Sequence, residues 1–335
     1  MDELVPQLLN STMRGCARPV WLAIIILLLV TAHIEAQSSW KDKSPHDSKF
    51  VTVPGVRLHY PDWGGRGDTP HAFDDLARQF TNHFRALGLS RRGHGLSDAP
   101  ESGYDTATRV EDIRHFLDAL KIPRAVLAGH STAGGEMTML AGTSPDRVAK
   151  LIFLDAIYDP HRRLEIGRLS PPEMYPAKTD TESLENMRRW LQQMNNGWSE
   201  AWEATLRQNF SPDGKTFLKS EAHNRALSLM TAEGTEADQD YAAIKCPVLA
   251  ITVVGFPTNM MNYFKTLPVE RQNAMSEYLN FVNESKQKET DRFRQELPNA
   301  RIVPLTNADH HCFIEREKEV VQHMRKFLTP PTHIP

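Results

Sequence analysis

The sequence predicts an α/β protein with a mostly parallel central sheet flanked by helices. Three observations predict it. Apolar runs at 125–128, 148–156 and 247–255 read as buried strands. Stretches with helical spacing alternate with them, such as Val110, Ile113, Phe116, Leu117 and Leu120, and strands alternating with helices mean a parallel sheet. Third, a run of small residues, Gly129-His130-Ser131-Thr132-Ala133-Gly134-Gly135, joins the first of these strands directly to a helix start at Glu136–Ala141.

In chain order, Phe50–Val53 and Val56–Tyr60 flank Pro54-Gly55 and read as a hairpin. Asp62–Asp68 is a tight loop. Ala72–Phe80 carries apolar residues at helical spacing, and Phe84–Ser90 reads as a strand ending in Arg91-Arg92-Gly93-His94-Gly95-Leu96-Ser97-Asp98. Thr106–Leu120 is a helix. Residues 160–240 break the alternation: they are polar and helix-rich, with Trp190, Trp198 and Trp202, and read as a helical cap insertion. The alternating core is thus expected over 49–159 and 241–329. Its last part holds a long charged helix at Glu270–Gln295, a strand at Arg301–Leu305 and a closing helix at Glu315–Leu328.

The N-terminus is separate. Arg14 and Arg18 precede an apolar run at 20–30, short for a membrane span, which needs about 20 residues. Residues 1–36 read as a secretory signal, with 37–48 as a polar linker, so a secreted or periplasmic protein is expected. The other reading is an uncleaved anchor at 20–30, and only then is a membrane a partner. The 335 residues are 40 % hydrophobic and 24 % charged with net charge −3, and no basic block occurs, which argues against nucleic acid. Cys16 leaves with a signal. Cys246 and Cys312 have no metal-like spacing, and two buried thiols are expected.

A serine between a buried strand and a helix start sits in a tight, strained corner with its hydroxyl above the sheet edge. Ser131, with Gly129, His130 and Gly134 around it, has the pattern of such a nucleophile elbow, Ala133 standing where a second glycine is usual.

Over roughly residues 50–328 the chain resembles the α/β-hydrolase superfamily. The resemblance rests on Arg91–Asp98 after a strand, the Gly129–Gly134 elbow, a cap-sized insertion, and a late histidine before the last helix, in the family's order. It implies Ser131 as nucleophile and His310 as base, because Ala308 and Phe313 match the small and apolar residues the family places around that histidine. His311 is the alternative. The commoner acid position follows the strand at 248–254, but 255–268 contains no Asp or Glu. Some relatives carry the acid one strand earlier, where Asp155 stands, with Asp159 as the alternative. The Thr132 N–H is the expected oxyanion donor. Between Gly67 and the helix at Ala72, a strand and glycine-rich turn of about ten residues, which supplies the second donor in the family, is missing.

The expected function is a serine hydrolase acting on a small or medium apolar carboxylic ester, amide or lactone, its activity impaired by that missing segment. A serine nucleophile argues against the epoxide-hydrolase and dehalogenase branches, which use Asp. A cofactor-free haloperoxidase-like activity uses the same residues. The alternative is a non-catalytic member binding a hydrophobic ligand. No cofactor is implied. Asp309-His310-His311 suggests no further ligands, so no metal is expected.

Overall fold

The structure is a computed structural model that describes residues 47–63, 71–194, 198–207, 209–211, 213–216, 239–255 and 263–329. The expected signal or anchor at 1–36 lies outside them. So does the linker at 37–48, except Asp47 and Ser48, which open the first strand rather than belonging to a linker.

Strands β1 (Asp47–Val53) and β2 (Val56–Asp62) form the expected hairpin, in register from Asp47↔Asp62 to Val53↔Val56. Gly55 turns the corner at φ +79°, a conformation glycine adopts without steric cost. A 3₁₀ turn at His71–Phe73 leads into α1 (Asp74–Arg78), within the helix expected at 72–80.

The strand expected at 84–90 does not form. That segment runs antiparallel to β2 but joins it only by an isolated bridge, Asp62↔Leu87. Gly88 N–H donates to the Pro61 carbonyl at 3.0 Å, and Ser90 N–H to the His59 carbonyl at 3.0 Å. Pro61 has no N–H to return, so the ladder cannot close.

Helix α2 (Thr106–Ala119) begins at Asp105, whose carboxylate accepts from the Thr108 N–H. Four parallel strands follow in the order β3-β4-β5-β6: β3 (Ala125–His130), β4 (Val148–Leu154), β5 (Val248–Val254) and β6 (Arg301–Thr306). Helix α3 (Ala133–Thr143) links β3 to β4. In β4 and β5 the apolar run is what a strand covered on both faces requires: Leu151, Leu154, Leu249 and Ile251 are completely buried. β3 differs. It pairs with β4 on one side, and among the described residues no strand pairs with its other edge. Val126 is 36 % exposed and Ala128 is exposed, although both belong to the same kind of apolar run. The hairpin is a separate two-stranded sheet, joined to this region through α2 by an apolar cluster of Tyr60, Phe116 and Leu117 with Leu87, Leu89 and Ala125.

The insertion between β4 and β5 is helical: α4 (Pro160–Leu169), α5 (Leu184–Met194) and α6 (Glu200–Arg207). It has a small core of Met187, Leu206 and Phe210, and Arg188 clamps α5 to α6 through Glu203. Trp190 and Met194 line a cavity of about 320 Å³ with Tyr175 and Tyr263. Trp198 and Trp202 instead stack on each other, 6.3 Å between ring centroids. Helix α7 (Val269–Glu296) follows β5. After β6 a single turn, α8 (Cys312–Glu315), precedes the expected closing helix, α9 (Glu317–Leu328). Val320, Val321 and Met324 of α9 pack on β5 and β6.

Candidate active site

Four non-glycine residues among those described have positive φ, and three lie just beyond the C-terminal ends of strands: Ser131 (+56°) after β3, Asp155 (+45°) after β4 and Asn307 (+53°) after β6. Left-handed backbone is costly for such residues and persists only where the surroundings impose it, which is common at functional sites.

The first of these corners is built by small residues. A Cβ on Gly134 would lie 1.9 Å from the Ala156 carbonyl oxygen, and one on Gly129 would lie 2.8 Å from the Ala133 Cβ. Helix α3 therefore starts hard against the backbone that follows β4, and Ala133 is accommodated beside β3 because position 129 is glycine. Ser131 N–H donates to the Leu154 carbonyl at 3.3 Å. The Thr132 N–H lies in the first turn at the start of α3, where N–H groups have no partner within the helix.

Asp155 is held where β4 crosses to β5. Its N–H donates to the Ile251 carbonyl, and its Oδ1 accepts from the Val253 N–H at 2.9 Å. Its Oδ2 lies 2.7 Å from His310 Nδ1. The carboxylate is buried, which alone would raise its pKa. The Lys286 ammonium and the His310 contact outweigh burial and hold it far below the usual carboxylate range. Lys286, from α7, places Nζ 2.7 and 2.8 Å from the two carboxylate oxygens. Asp159 is elsewhere: its Oδ1 accepts from the N–H groups of His161 and Arg162, so it is the N-cap of α4 and makes no contact with His310.

His310 is held on the elbow from its backbone side. The His130 Nε2–H donates to the His310 carbonyl at 2.8 Å, and the two rings lie 4.3 Å apart. The residue preceding Ser131 thus docks the loop that carries His310. His311 packs edge-on against Trp202, 4.9 Å between centroids, and it is His310 whose ring meets Asp155.

A family model described as the alpha/beta hydrolase fold matches residues 63–227. A non-heme chloroperoxidase of Streptomyces lividans is 34 % identical over 147 residues, 40 % of this chain and 49 % of that protein. The chain thus spans about half the length of that relative. An AB hydrolase superfamily protein of Bacillus subtilis is 25 % identical over 82 % of this chain and 94 % of its own length. The crystal structure of E-2-(acetamidomethylene)succinate hydrolase superposes with a TM-score of 0.62 at 18 % identity, covering 84 % of this chain and 99 % of that one. Residues 63–227 thus match the α/β-hydrolase family, and the chain has its fold.

Two neighbours of this candidate site escape a reading of the sequence. Lys286 sits in a charged helical stretch, indistinguishable by composition from a solvated face. Arg91 and Arg92 are adjacent, and only packing separates them. Arg92 makes a buried two-pronged pair with Asp112, at 2.7 Å for each bond, whereas Arg91 reaches Thr132.

The histidine cluster is expected to make the fold acid-sensitive. Burial, then the neighbouring His310 and His311, push the His130 imidazole well below its ordinary range. Burial, then His310, push His311 down to about 3. In an unfolded chain both protonate near pH ~6.5. The folded state therefore binds fewer protons between about pH 6.5 and 3, and stability that is full above this window is lost as the pH falls through it. Asp155, whose folded pKa is depressed, adds a further loss below about pH 4. The melting temperature is expected to fall steadily from pH 7 to 5, and less steeply in His311→Phe. An equal slope in that variant would remove His311 as a cause.

Proposed function

We propose that this chain is a serine hydrolase that cleaves a small or medium carboxylic ester, amide or lactone through Ser131, His310 and Asp155. The observation that carries the reading is the 2.7 Å contact of Asp155 Oδ2 with His310 Nδ1 beside a serine at φ +56°. That contact occupies one ring nitrogen and leaves Nε2 to take the serine proton. Ser131 Oγ attacks the acyl carbon, its proton passes to His310 Nε2, and the carbonyl π pair moves onto oxygen. Collapse of this intermediate expels the leaving group, which takes the proton from His310. Asp155, held ionised, fixes the ring orientation and stabilises the imidazolium. The resulting acyl-enzyme is hydrolysed by water through the same proton route. Relatives described as a chloroperoxidase and as a bifunctional esterase/perhydrolase are consistent with acyl chemistry at this site.

A second reading has its own observation. Among the described residues no strand pairs with the edge of β3 beside which the family carries its second oxyanion donor, which favours a non-catalytic protein that binds a hydrophobic ligand. A fluorophosphonate probe separates the two. Covalent labelling of the wild-type chain, lost in Ser131→Ala, is expected for the hydrolase. An unlabelled wild-type chain, or ester hydrolysis that persists in Ser131→Ala, would overturn it.

A further inference from the structure

The start of α3, just beyond β3, is flanked by a cation. Arg91 follows Ser90, which ends the segment that runs beside β2, and its side chain reaches the first turn of α3. Its Nη1 donates to Thr132 Oγ1 at 3.0 Å and to Glu136 Oε1 at 3.2 Å. Those two bonds use both Nη1 protons. The Nε–H and the two Nη2 protons have no acceptor among the described residues, and the side chain is 24 % exposed.

The charge balance favours an anion here. Glu136 Oε1 also accepts from Arg109 Nε at 2.5 Å, so one buried carboxylate stands between two guanidinium groups. The cluster carries one net positive charge in the first turn of α3, where the helix dipole adds to it. Arg109 is committed elsewhere, with Nη2 on Thr106 Oγ1 and Nη1 on the Tyr104 carbonyl. Arg91 has its Nε–H and Nη2 donors to spare, and it is tethered to the residue whose N–H adjoins the nucleophile.

We propose that the Arg91 guanidinium is the second oxyanion donor of this site, replacing the backbone N–H of the missing segment. The inference rests on the serine-hydrolase reading. When Ser131 adds to the carbonyl and the π pair moves to oxygen, the Thr132 N–H receives that oxygen from one side and a free Arg91 N–H from the other. A charged donor exceeds a neutral amide in strength, which offsets its poorer preorganisation.

The test uses Arg91→Met and Arg91→Lys with a neutral chromogenic short-chain ester. Arg91→Met is expected to lower kcat by about 10²–10³ with little change in KM, as for loss of one oxyanion donor. The fluorophosphonate labelling rate of Ser131 should fall in parallel, since phosphonylation develops charge at the same place. Arg91→Lys should be intermediate, because an ammonium keeps the charge but not the fork that serves Thr132, Glu136 and an oxyanion together. In Arg91→Ala, added guanidinium at millimolar concentration should restore part of the rate, which a purely structural role would not allow. A folded Arg91→Met whose kcat and labelling rate stay within about twofold of wild type overturns the proposal, as does a loss confined to KM. If Arg91→Met does not fold, a folded Arg91→Lys with wild-type kcat overturns it equally. A wild-type chain that never labels defeats the hydrolase reading itself, whereas equal labelling of wild type and Arg91 variants defeats only the role of Arg91.

Discussion

Inserting a strand and glycine turn of about ten residues after Gly67 is expected to raise both the stability and the turnover of this protein. The physical ground is the edge of β3 that no strand among the described residues pairs. Val126 and Ala128 belong to a strand whose neighbour β4 is completely buried along Leu151–Leu154, apart from a trace at Ile152, yet both are exposed. A parallel strand laid on that edge would pair its unused N–H and C=O groups, each net hydrogen bond contributing about 0.5–1.5 kcal/mol. It would also cover apolar side chains. Against this stands the backbone entropy lost in ordering the added residues. A rise in melting temperature of roughly 3–6 °C is expected. The turn would bring a preorganised backbone N–H to the oxyanion. Turnover should rise at least about tenfold, less than the 10²–10³ a full donor is worth, because Arg91 already fills part of that role. Arg91→Met should then cost less in the extended chain than in the native one. Thermal scans and ester kinetics on both chains check this. A native chain already near the enzyme median of about 10 s⁻¹ would show that the segment is dispensable.

What was legible in the sequence follows from how local each signal is. The elbow is local: an apolar strand, small residues and a helix start within a few positions report the backbone's close approach, which Gly129 and Gly134 bear out sterically. The strand ends were legible because β4 and β5 are covered on both faces along most of their length, and their apolar runs stop where Asp155 and Gly255 begin. The segment at 84–90 misled because its own residues suit a strand, while the obstacle lies on its partner, in the missing N–H of Pro61. Lys286 was illegible for a different reason. It reaches Asp155 across 131 positions, and whether a lysine on a charged helix faces water or a carboxylate is decided by packing alone. Arg91 shares that difficulty, since its neighbour Arg92 has the same chemistry and a different partner.

Asp155→Asn is expected to lower kcat by roughly 10⁴ and to destabilise the fold, and the two losses have separable causes. The catalytic loss comes from His310: an amide at position 155 cannot stabilise an imidazolium as a carboxylate does, and it lets the ring take the wrong tautomer. The loss of stability comes from Lys286. Its Nζ now rests on both carboxylate oxygens, and without the charge it is left as a poorly hydrated ammonium. Breaking a buried pair from one side costs about 3–5 kcal/mol, and the lower end applies because the Lys286 side chain is 21 % exposed. Adding Lys286→Met to Asp155→Asn removes the orphaned charge. The double variant should therefore regain much of the lost stability while kcat stays as low as in Asp155→Asn. Denaturant unfolding and ester kinetics on the two singles and the double give the coupling directly. If Asp155→Asn keeps kcat within about tenfold, Asp155 is not the residue that orients His310. If the double variant is no more stable than Asp155→Asn, the unpaired ammonium is not what destabilises it, and the contact of Asp155 with the Val253 N–H becomes the bond whose loss matters.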